Sequence, residues 1–305
     1  MHLTALSLVL ASAGFQTGVY APRPDSTPPT PLPARSVQAV RLSAGAGVSL
    51  DGVLTDAAWQ RAVPFSQFTQ RDPDQGAAPT ESTVVWVTYD DAALYVAARL
   101  YDREPAKIVA RLGRRDQHTN SDAFVVFLDP YFDRRSGFFF GVNAAGTQYD
   151  GVMYNDDWDD NTWDGVWESK VAIDSLGWSV EMRIPYSQLR FVQKETYVWG
   201  INLRRDIARR NEFDYLVYTP RNQSGFVSRF AELTGIQNVT PPRRVELMPY
   251  STARAEYTNP PGGDPFNDGS RYVPGVGVDF RMGLGSNLTV NGTVNPDFGQ
   301  VEVDP

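Results

Sequence analysis

The chain has 305 residues, with 28 Lys and Arg against 36 Asp and Glu for a net charge of -8, and no cysteine. The acidic balance argues against a nucleic-acid backbone as partner, because that affinity comes from clustered Lys and Arg; the missing cysteines exclude a disulfide framework, a thiolate nucleophile and a thiolate metal site. With 25 Gly, 22 Pro and 12% aromatic residues, the composition favours many short strands punctuated by turns over long helices.

At the N-terminus an apolar run from Leu3 to Phe15 leads to Val19-Tyr20-Ala21, a small-x-small pattern that reads as an export signal over residues 1–21, cleaved after Ala21. The run is too short to span a membrane as a helix. Residues 22–35 are proline-rich and read as an extended linker, so a folded domain is expected from Ser36 to about Asn238. Within it, TVVWVTY (Thr83 to Tyr89) and LYVAARLY (Leu94 to Tyr101) flank Asp90 to Ala93 and predict a hairpin. The continuous apolar run from Ala123 to Leu128 predicts a strand buried on both faces. Phe138 to Asn143 and Thr147 to Met153 form another pair across Ala144-Ala145-Gly146. Further strands are expected at Trp167 to Ile173, Trp178 to Ile184, Tyr197 to Arg204 and Asp214 to Tyr218, with helical turns only at Thr55 to Arg61 and Tyr186 to Leu189. Strands at this spacing without a long helical period predict an all-β, antiparallel sandwich.

The pattern changes in residues 239–305. Val245 to Tyr257, Val276 to Leu284 and Leu288 to Val294 alternate strictly: Val276, Val278, Phe280, Met282 and Leu284 face one way, and Gly277, Asp279, Arg281 and Gly283 the other. Such alternation over roughly ten residues, repeated, is the sign of strands from an outer-membrane barrel. The polar stretch Thr258 to Ser270 would be a loop on the outer side. A small antiparallel appendage to the sandwich is the other reading of these strands.

Four phrases carry a family resemblance: LDGVLTDAAW (Leu50 to Trp59), YDDAALYVAARLYD (Tyr89 to Asp102), SDAFVVFLDP (Ser121 to Pro130) and GWSVEMRIPYSQL (Gly177 to Leu189). Together they resemble the family 9 carbohydrate-binding module, which implies a β-sandwich that holds an oligo- or polysaccharide without cutting it. The resemblance further implies a sugar held between two tryptophans. In this chain Gln117, His118 and Asn120 stand in the first of those regions and Phe226 near the second, while Val125 replaces an expected acid and no arginine stands at Phe140 or Gly141. SNLTVNGTVNPDFGQVEVDP (Ser286 to Pro305) looks like the opening of the outer-membrane barrel that follows such a module in a poorly characterised family of bacterial surface proteins. Because a closed barrel needs about eight strands, Pro305 reads as a truncation, and the implied partner is the chain's own membrane barrel in the outer membrane of a Gram-negative bacterium.

The densest polar and aromatic stretch, NDDWDDNTWDGVWE (Asn155 to Glu168), holds five aspartates, one glutamate and three tryptophans. Crowded carboxylates repel unless a hard cation neutralises them, so Asp156, Asp157, Asp159, Asp160 and Asn161 are candidate Ca²⁺ ligands. The spacing of Asp157, Asp159, Asn161 and Glu168 matches an EF-hand, but Thr162 stands where that loop needs Gly, and the flanks are strands. The bland alternative is a solvated acidic loop whose tryptophans pack back on the sandwich. For a sugar, whose ring stacks on an aromatic face while its hydroxyls need polar partners, the candidates are Trp158, Asn161, Trp163 and Trp167, and Asn222, Gln223 and Phe226 in the loop Thr219 to Phe230. Trp59, Trp86, Trp178 and Trp199 read as core. The repeat Arg114-Arg115-Asp116 and Arg204-Arg205-Asp206 either lines a polar groove or forms ion pairs; in the first case Arg114 and Arg115 bind ligand.

Catalysis finds little support. Glu168, Glu181 and Asp206 could be named as glycosidase carboxylates only by picking among 36 acids, and nothing singles out a pair. His2 and His118 are the only histidines, which excludes a His-based triad or a three-His zinc site in the mature domain. Haem-binding domains share the sandwich, and His118 with Met153 would be the only axial pair. The function expected is therefore non-catalytic glycan capture, with a docking or gating role for the membrane barrel as the alternative.

Overall fold

The computed structural model of the chain describes residues 35–43, 45–117, 119–240, 245–257, 269–284 and 288–295. The expected export signal, the linker apart from Arg35, His118, the polar loop from 258 to 268 and the final run apart from 288–295 lie outside the described residues. The first thirteen strands in chain order are β1 (Ser36–Arg41), β2 (Thr69–Asp72), β3 (Thr83–Tyr89), β4 (Ala93–Tyr101), β5 (Ala123–Asp129), β6 (Gly137–Asn143), β7 (Gln148–Tyr154), β8 (Trp158–Asp160), β9 (Glu168–Asp174), β10 (Gly177–Pro185), β11 (Thr196–Ile207), β12 (Glu212–Tyr215) and β13 (Ala231–Gln237). One short helix, α1 (Ala57–Arg61), and a 3₁₀ turn at Tyr186–Gln188 occupy the two places where helical turns are expected.

The strands form an all-β sandwich. One sheet runs β8-β7-β6-β5-β11-β13-β1 and the other β1-β3-β4-β10-β9, while β12 pairs with β11, and β2 with β12. The first strand joins the layers: residues 36–38 lie parallel to 232–234 of β13, and residues 39–41 lie parallel to 87–89 of β3. All other pairings are antiparallel among the described residues of the sandwich. The main core contains Phe124, Val126 and Leu128 of β5, Trp199, Ile201 and Leu203 of β11, Leu94, Val96 and Leu100 of β4, and Val180, Met182 and Ile184 of β10, all fully buried. Their period of two follows from the pleat, which sends alternate side chains to opposite faces.

Each sheet also carries a second, smaller apolar cluster on its outer face. On β4 these are Ala93, Tyr95 and Ala97, covered by Trp59 from α1. A buried carboxylate fixes the cover: Glu181 of β10 accepts hydrogen bonds from Trp59 Nε1 at 2.8 Å, Gly52 N at 2.8 Å and Asp51 N at 3.0 Å. Gly52 has φ +87°, and a Cβ there would lie 2.7 Å from the Val171 backbone, so only glycine fits. Thus Leu50 to Trp59 and Gly177 to Leu189, separated in sequence, are one structural unit. The corresponding cluster on the other sheet is Val125, Phe127, Phe139, Tyr149 and Met153, covered by Val227 and Phe230. This is why β5 is apolar on both faces, as its unbroken run predicts.

The C-terminal residues form a separate three-stranded antiparallel sheet, β14 (Val245–Tyr257), β15 (Ser270–Leu284) and β16 (Leu288–Val294). Its second strand begins at Ser270, earlier than the expected Val276, because Tyr272 and Pro274 continue the same alternation. Register places Val245, Leu247, Ala253, Ala255 and Tyr257 on one face with Tyr272, Val276, Val278, Phe280, Met282, Val290 and Val294. The opposite face carries Tyr250, Thr252, Arg254, Glu256, Arg271, Asp279, Asn291 and Thr293, with Met248 and Val273 as apolar exceptions. Leu247 is 66% exposed and Val276 69% exposed, so this apolar face is open. At the end of the sheet where β14 stops and β15 begins, Tyr257 and Tyr272 meet edge to face with their hydroxyls 2.9 Å apart.

Candidate functional site

The outer face of β5, β6, β7, β11 and β12 forms the floor of a cavity of about 510 Å³, lined by Val125, Phe127, Phe139, Tyr149, Met153, Arg204 and Tyr215 among others. The volume falls in the range of small-molecule sites, roughly 300 to 1,000 Å³. Strand pleating alone selects these residues, since they are the outward positions of paired strands: Val125 opposes Gly141 and Arg204, and Gly141 opposes Tyr149. Gly141 is needed there because a Cβ would meet the Tyr149 ring at 2.2 Å. Tyr149 therefore lies across β6, and its burial pushes the phenol pKa far up, keeping the hydroxyl protonated.

One wall is the segment from Thr219 to Phe230. Phe226 stands edge-on to Phe127 at 5.0 Å, to Phe230 at 5.2 Å and to Tyr215 at 6.1 Å. The wall is held by the first two aspartates of the acidic run. Asp156 accepts hydrogen bonds from Phe226 N at 3.0 Å, Ser228 N at 2.8 Å and Ser228 Oγ at 2.8 Å, and Asp157 accepts from Gly225 N at 3.0 Å. Burial pushes the Asp156 carboxyl up, but these donors outweigh it and hold its pKa below the ordinary value. Asn155 and Asp156 reach the required turn with φ of 52° and 75°, a left-handed conformation that Asn and Asp tolerate better than most residues.

Arg204 supplies the fixed charge on the floor. Its Nε lies 2.7 Å from Asp206 Oδ1 and its Nη2 3.0 Å from Asp206 Oδ2, a two-point fork between residues two apart on the same face of β11. Desolvation opposes the guanidinium charge, yet Asp206, with Tyr215 and Tyr149, holds its pKa well above the ordinary value. At the rim, Arg221 pairs with Asp72 at 2.5 Å and donates to the Pro73 carbonyl at 3.0 Å. Trp158 of β8 is 62% exposed and touches Tyr154 edge-on at 5.9 Å. The cavity thus offers aromatic faces, amide and carboxylate acceptors and guanidinium donors around a space the size of a small ligand.

The sequence-expected ligand residues divide. Trp158, Gln223 and Phe226 line the cavity. Trp167 does not: it is 4% exposed, packs on Phe140 at 5.5 Å and donates Nε1 to Asp150 at 2.8 Å. Trp163 packs on Phe138 at 5.4 Å and joins the main core. Both are corrections, because a cluster of three tryptophans straddling a strand and a turn sends its members to different faces. Arg115 is also removed from the set: it pairs with Asp150, with Asp164 at 3.3 Å and with Asp116 at 3.5 Å. Arg114, Asn161 and Asn222 are exposed and outside the lining.

The calcium set is not assembled either. Asp156 and Asp157 hold the aromatic wall, and Asp160 Oδ1 accepts from Thr162 N at 2.9 Å and Oγ1 at 2.6 Å. Asp159 is exposed, as is Asn161. Among the described residues, the carboxylates that come within 4.8 Å of one another as a trio are Asp116, Asp150 and Asp164, around Arg115. The carboxylates considered for glycosidase chemistry are each engaged: Glu181 with Trp59, Asp206 with Arg204, and Glu168 with Arg183 at 3.0 Å. Met153 lies in the floor, and its suggested haem partner His118 is outside the described residues.

Most of the floor escaped sequence reasoning, although the signal was present. Val125 and Phe127, together with Phe139, Tyr149 and Met153, are apolar at outward positions, which water would disfavour unless a further layer lies over them.

The profile of a family described as carbohydrate family 9 binding domain-like matches residues 50–210. Residues 241–305 match a domain of unknown function, DUF5916. The wall segment from 219 to 230 lies outside both spans. Among solved structures, a candidate carbohydrate-binding protein of Bacteroides uniformis ATCC 8492 superposes with a TM-score of 0.52 at 12% identity, covering 66% of this chain and 99% of that one, which shows a shared fold. A family 9 carbohydrate-binding module of Caldicellulosiruptor kristjanssonii, in complex with cellotriose and with glucose, gives TM-scores of 0.47 and 0.48 at 20% identity, covering 66% and 68% of this chain and 93% and 100% of the module. No curated protein matches the chain.

Proposed function

The chain belongs to the carbohydrate family 9 binding domain-like family, and from that premise we propose that its sandwich captures a glycan, without catalysis, in the cavity above β5 and β11. The observation that carries this reading is the combination of Phe226 and the exposed Trp158 with a floor of Phe127, Phe139 and Tyr149 and with Arg204, whose charge is paired to Asp206, in one cavity of about 510 Å³. Sugar rings present C–H faces to aromatic rings and hydroxyls to paired charges, and this lining supplies both. The Caldicellulosiruptor module was solved with cellotriose and with glucose, so glucose-based sugars are the first probes. A glycan array with the full chain should show saturable binding that Phe226→Ala weakens. Silence across the array, or binding indifferent to that change, would overturn the proposal.

The C-terminal sheet supports a second element of the proposal: export to the outer membrane, with β14, β15 and β16 as strands of a membrane barrel. The supporting observation is the open apolar face, backed by a polar face and edged by Tyr257 and Tyr272, the layout of barrel strands with an interfacial aromatic girdle. Because three strands cannot close a barrel by themselves, the test follows the protein expressed from its own gene in a Gram-negative host, where it should fractionate with outer membranes. Recovery wholly in the soluble periplasmic fraction would overturn this element and leave the sugar site untouched.

A further inference from the structure

The two connections of the C-terminal sheet differ in length. β14 ends at Tyr257 and β15 begins at Ser270, leaving twelve residues between them, whereas Leu284 and Leu288 leave three between β15 and β16. Outer-membrane barrels carry short turns on the periplasmic side and longer loops outside the cell. The strands are also long enough for their ends to stand on opposite sides. At about 3.4 Å per residue, the 13 residues of β14 and the 15 of β15 run about 41 and 48 Å; a barrel tilt of roughly 40° leaves about 30 Å or more of height, against an apolar band of about 25 Å. Val245 therefore lies at the end shared with the three-residue connection, and Tyr257 with Tyr272 at the end shared with the twelve-residue one.

The sandwich is fixed to the first of these ends by a short tether. Val239 is buried in the sandwich core, and its carbonyl accepts a hydrogen bond from Tyr197 Oη at 2.7 Å. Five residues, 240–244, then separate it from Val245, and two of them are Pro241 and Pro242. Six Cα steps of no more than about 3.6 Å each reach roughly 22 Å, which is less than the apolar band alone. A domain so tethered cannot stand across the membrane from residue 245.

We infer that the sandwich stands on the periplasmic side of the outer membrane, held at the inner rim of the barrel, so that the glycan it takes is one present in the periplasm and not one outside the cell. The inference rests on the barrel reading above and goes beyond it, since the same strands run in the opposite direction would put the cavity over Val125 and Phe127 at the cell surface. A large polymer outside the cell is then out of the cavity's reach.

The test uses the protein expressed from its own gene in a Gram-negative host, with single cysteines introduced one at a time. This chain has no cysteine, and the unsubstituted parent sets the background. Leu112→Cys and Val166→Cys report on the sandwich, at positions 82% and 71% exposed and outside the cavity lining; Gly262→Cys reports on the stretch between β14 and β15. A maleimide carried on a polyethylene glycol too large to pass the outer membrane is applied to intact cells and to cells whose outer membrane has been permeabilised. Gly262→Cys is labelled in both, while Leu112→Cys and Val166→Cys are labelled only after permeabilisation. Labelling of the sandwich positions in intact cells, or protection of Gly262→Cys there, overturns the orientation and leaves the barrel reading in place as long as the protein sediments with outer membranes. Recovery wholly in the soluble periplasmic fraction overturns the barrel reading and the orientation with it.

Discussion

The two outer faces of the sandwich start from similar residues and end differently. Each presents an aromatic and aliphatic strip, Ala93, Tyr95 and Ala97 on one sheet and Val125, Phe127 and Phe139 on the other, and each is covered by a returning segment. On the first face the anchor is central: Glu181 rises from β10 and draws Trp59, Asp51 and Gly52 onto the sheet. On the second the anchor is at the edge: Asp156 and Asp157, in the turn between β7 and β8, hold Gly225, Phe226 and Ser228 by their backbones. A central polar anchor closes a cover down, whereas an edge anchor holds it like a hinged rim and leaves a cavity beneath. The lesson is that placement of the anchoring carboxylate, buried at Glu181 but half-buried or exposed at Asp156 and Asp157, more than the apolar content of a face, decides whether that face becomes core or site.

The largest effect belongs to the sealed face. Trp59→Ala removes a side chain that is 3% exposed and leaves Glu181 without its indole donor; a loss of about 3 to 5 kcal/mol is expected for such a truncation. Chemical denaturation should show it as a lower midpoint, with glycan affinity of the folded fraction unchanged. Glu181 also gives this face a pH signature. Burial raises its pKa, against the hydrogen bonds from Trp59, Gly52 and Asp51, so its contribution is fully present below the ordinary glutamate pKa and is lost as pH rises through the folded value. Glu181→Gln should flatten that decline; an unchanged pH slope would show that the carboxylate is not the anchor described.

The open face should respond more weakly and with the opposite sign. Asp156→Ala releases three donors, Phe226 N, Ser228 N and Ser228 Oγ, at a cost of about 1 to 3 kcal/mol. The aromatic wall then loosens and glycan affinity falls together with stability. Because the Asp156 pKa is held down, its contribution is present above the ordinary aspartate pKa and is lost as pH falls through the folded value. Asp156→Asn and Glu181→Gln therefore change opposite limbs of the stability profile. If both variants altered the same limb, the contrast between the faces would fail.

Much of the sandwich was legible because its strands are strongly patterned. The hairpin of β3 and β4 and the doubly apolar β5 stand where alternation and an unbroken apolar run predict them. The strands that escaped, β1, β2, β8 and β13, are short or polar: β8 is Trp-Asp-Asp, paired to β7 alone among the described residues, and carries no period to read. The site was half legible for a related reason. Trp158, Gln223 and Phe226 stand in polar loops, where an aromatic or amide is conspicuous, but Trp163 and Trp167 share that loop composition and fold into the core. Asp156 and Asp157 look like metal ligands in sequence because backbone N–H donors from residues 225–228, nearly seventy positions away, leave no trace in composition.

The smallest stability effect belongs to Trp158. It is 62% exposed, and its ring contact is with Tyr154 alone among the described residues, so Trp158→Ala should change stability by no more than about 0.5 kcal/mol. Its value lies in the other readout. A tryptophan at a cavity rim, left bare by the protein, has its stacking face available to a ligand, and removing it should weaken glycan binding by about 1 kcal/mol, roughly fivefold. Trp59 and Trp158 thus test the comparison from both ends, since one tryptophan contributes to folding and not to binding, and the other to binding and not to folding. Equal stability losses in the two alanine variants would mean that the second face is closed in solution, and that the cavity above β5 is not where the ligand sits.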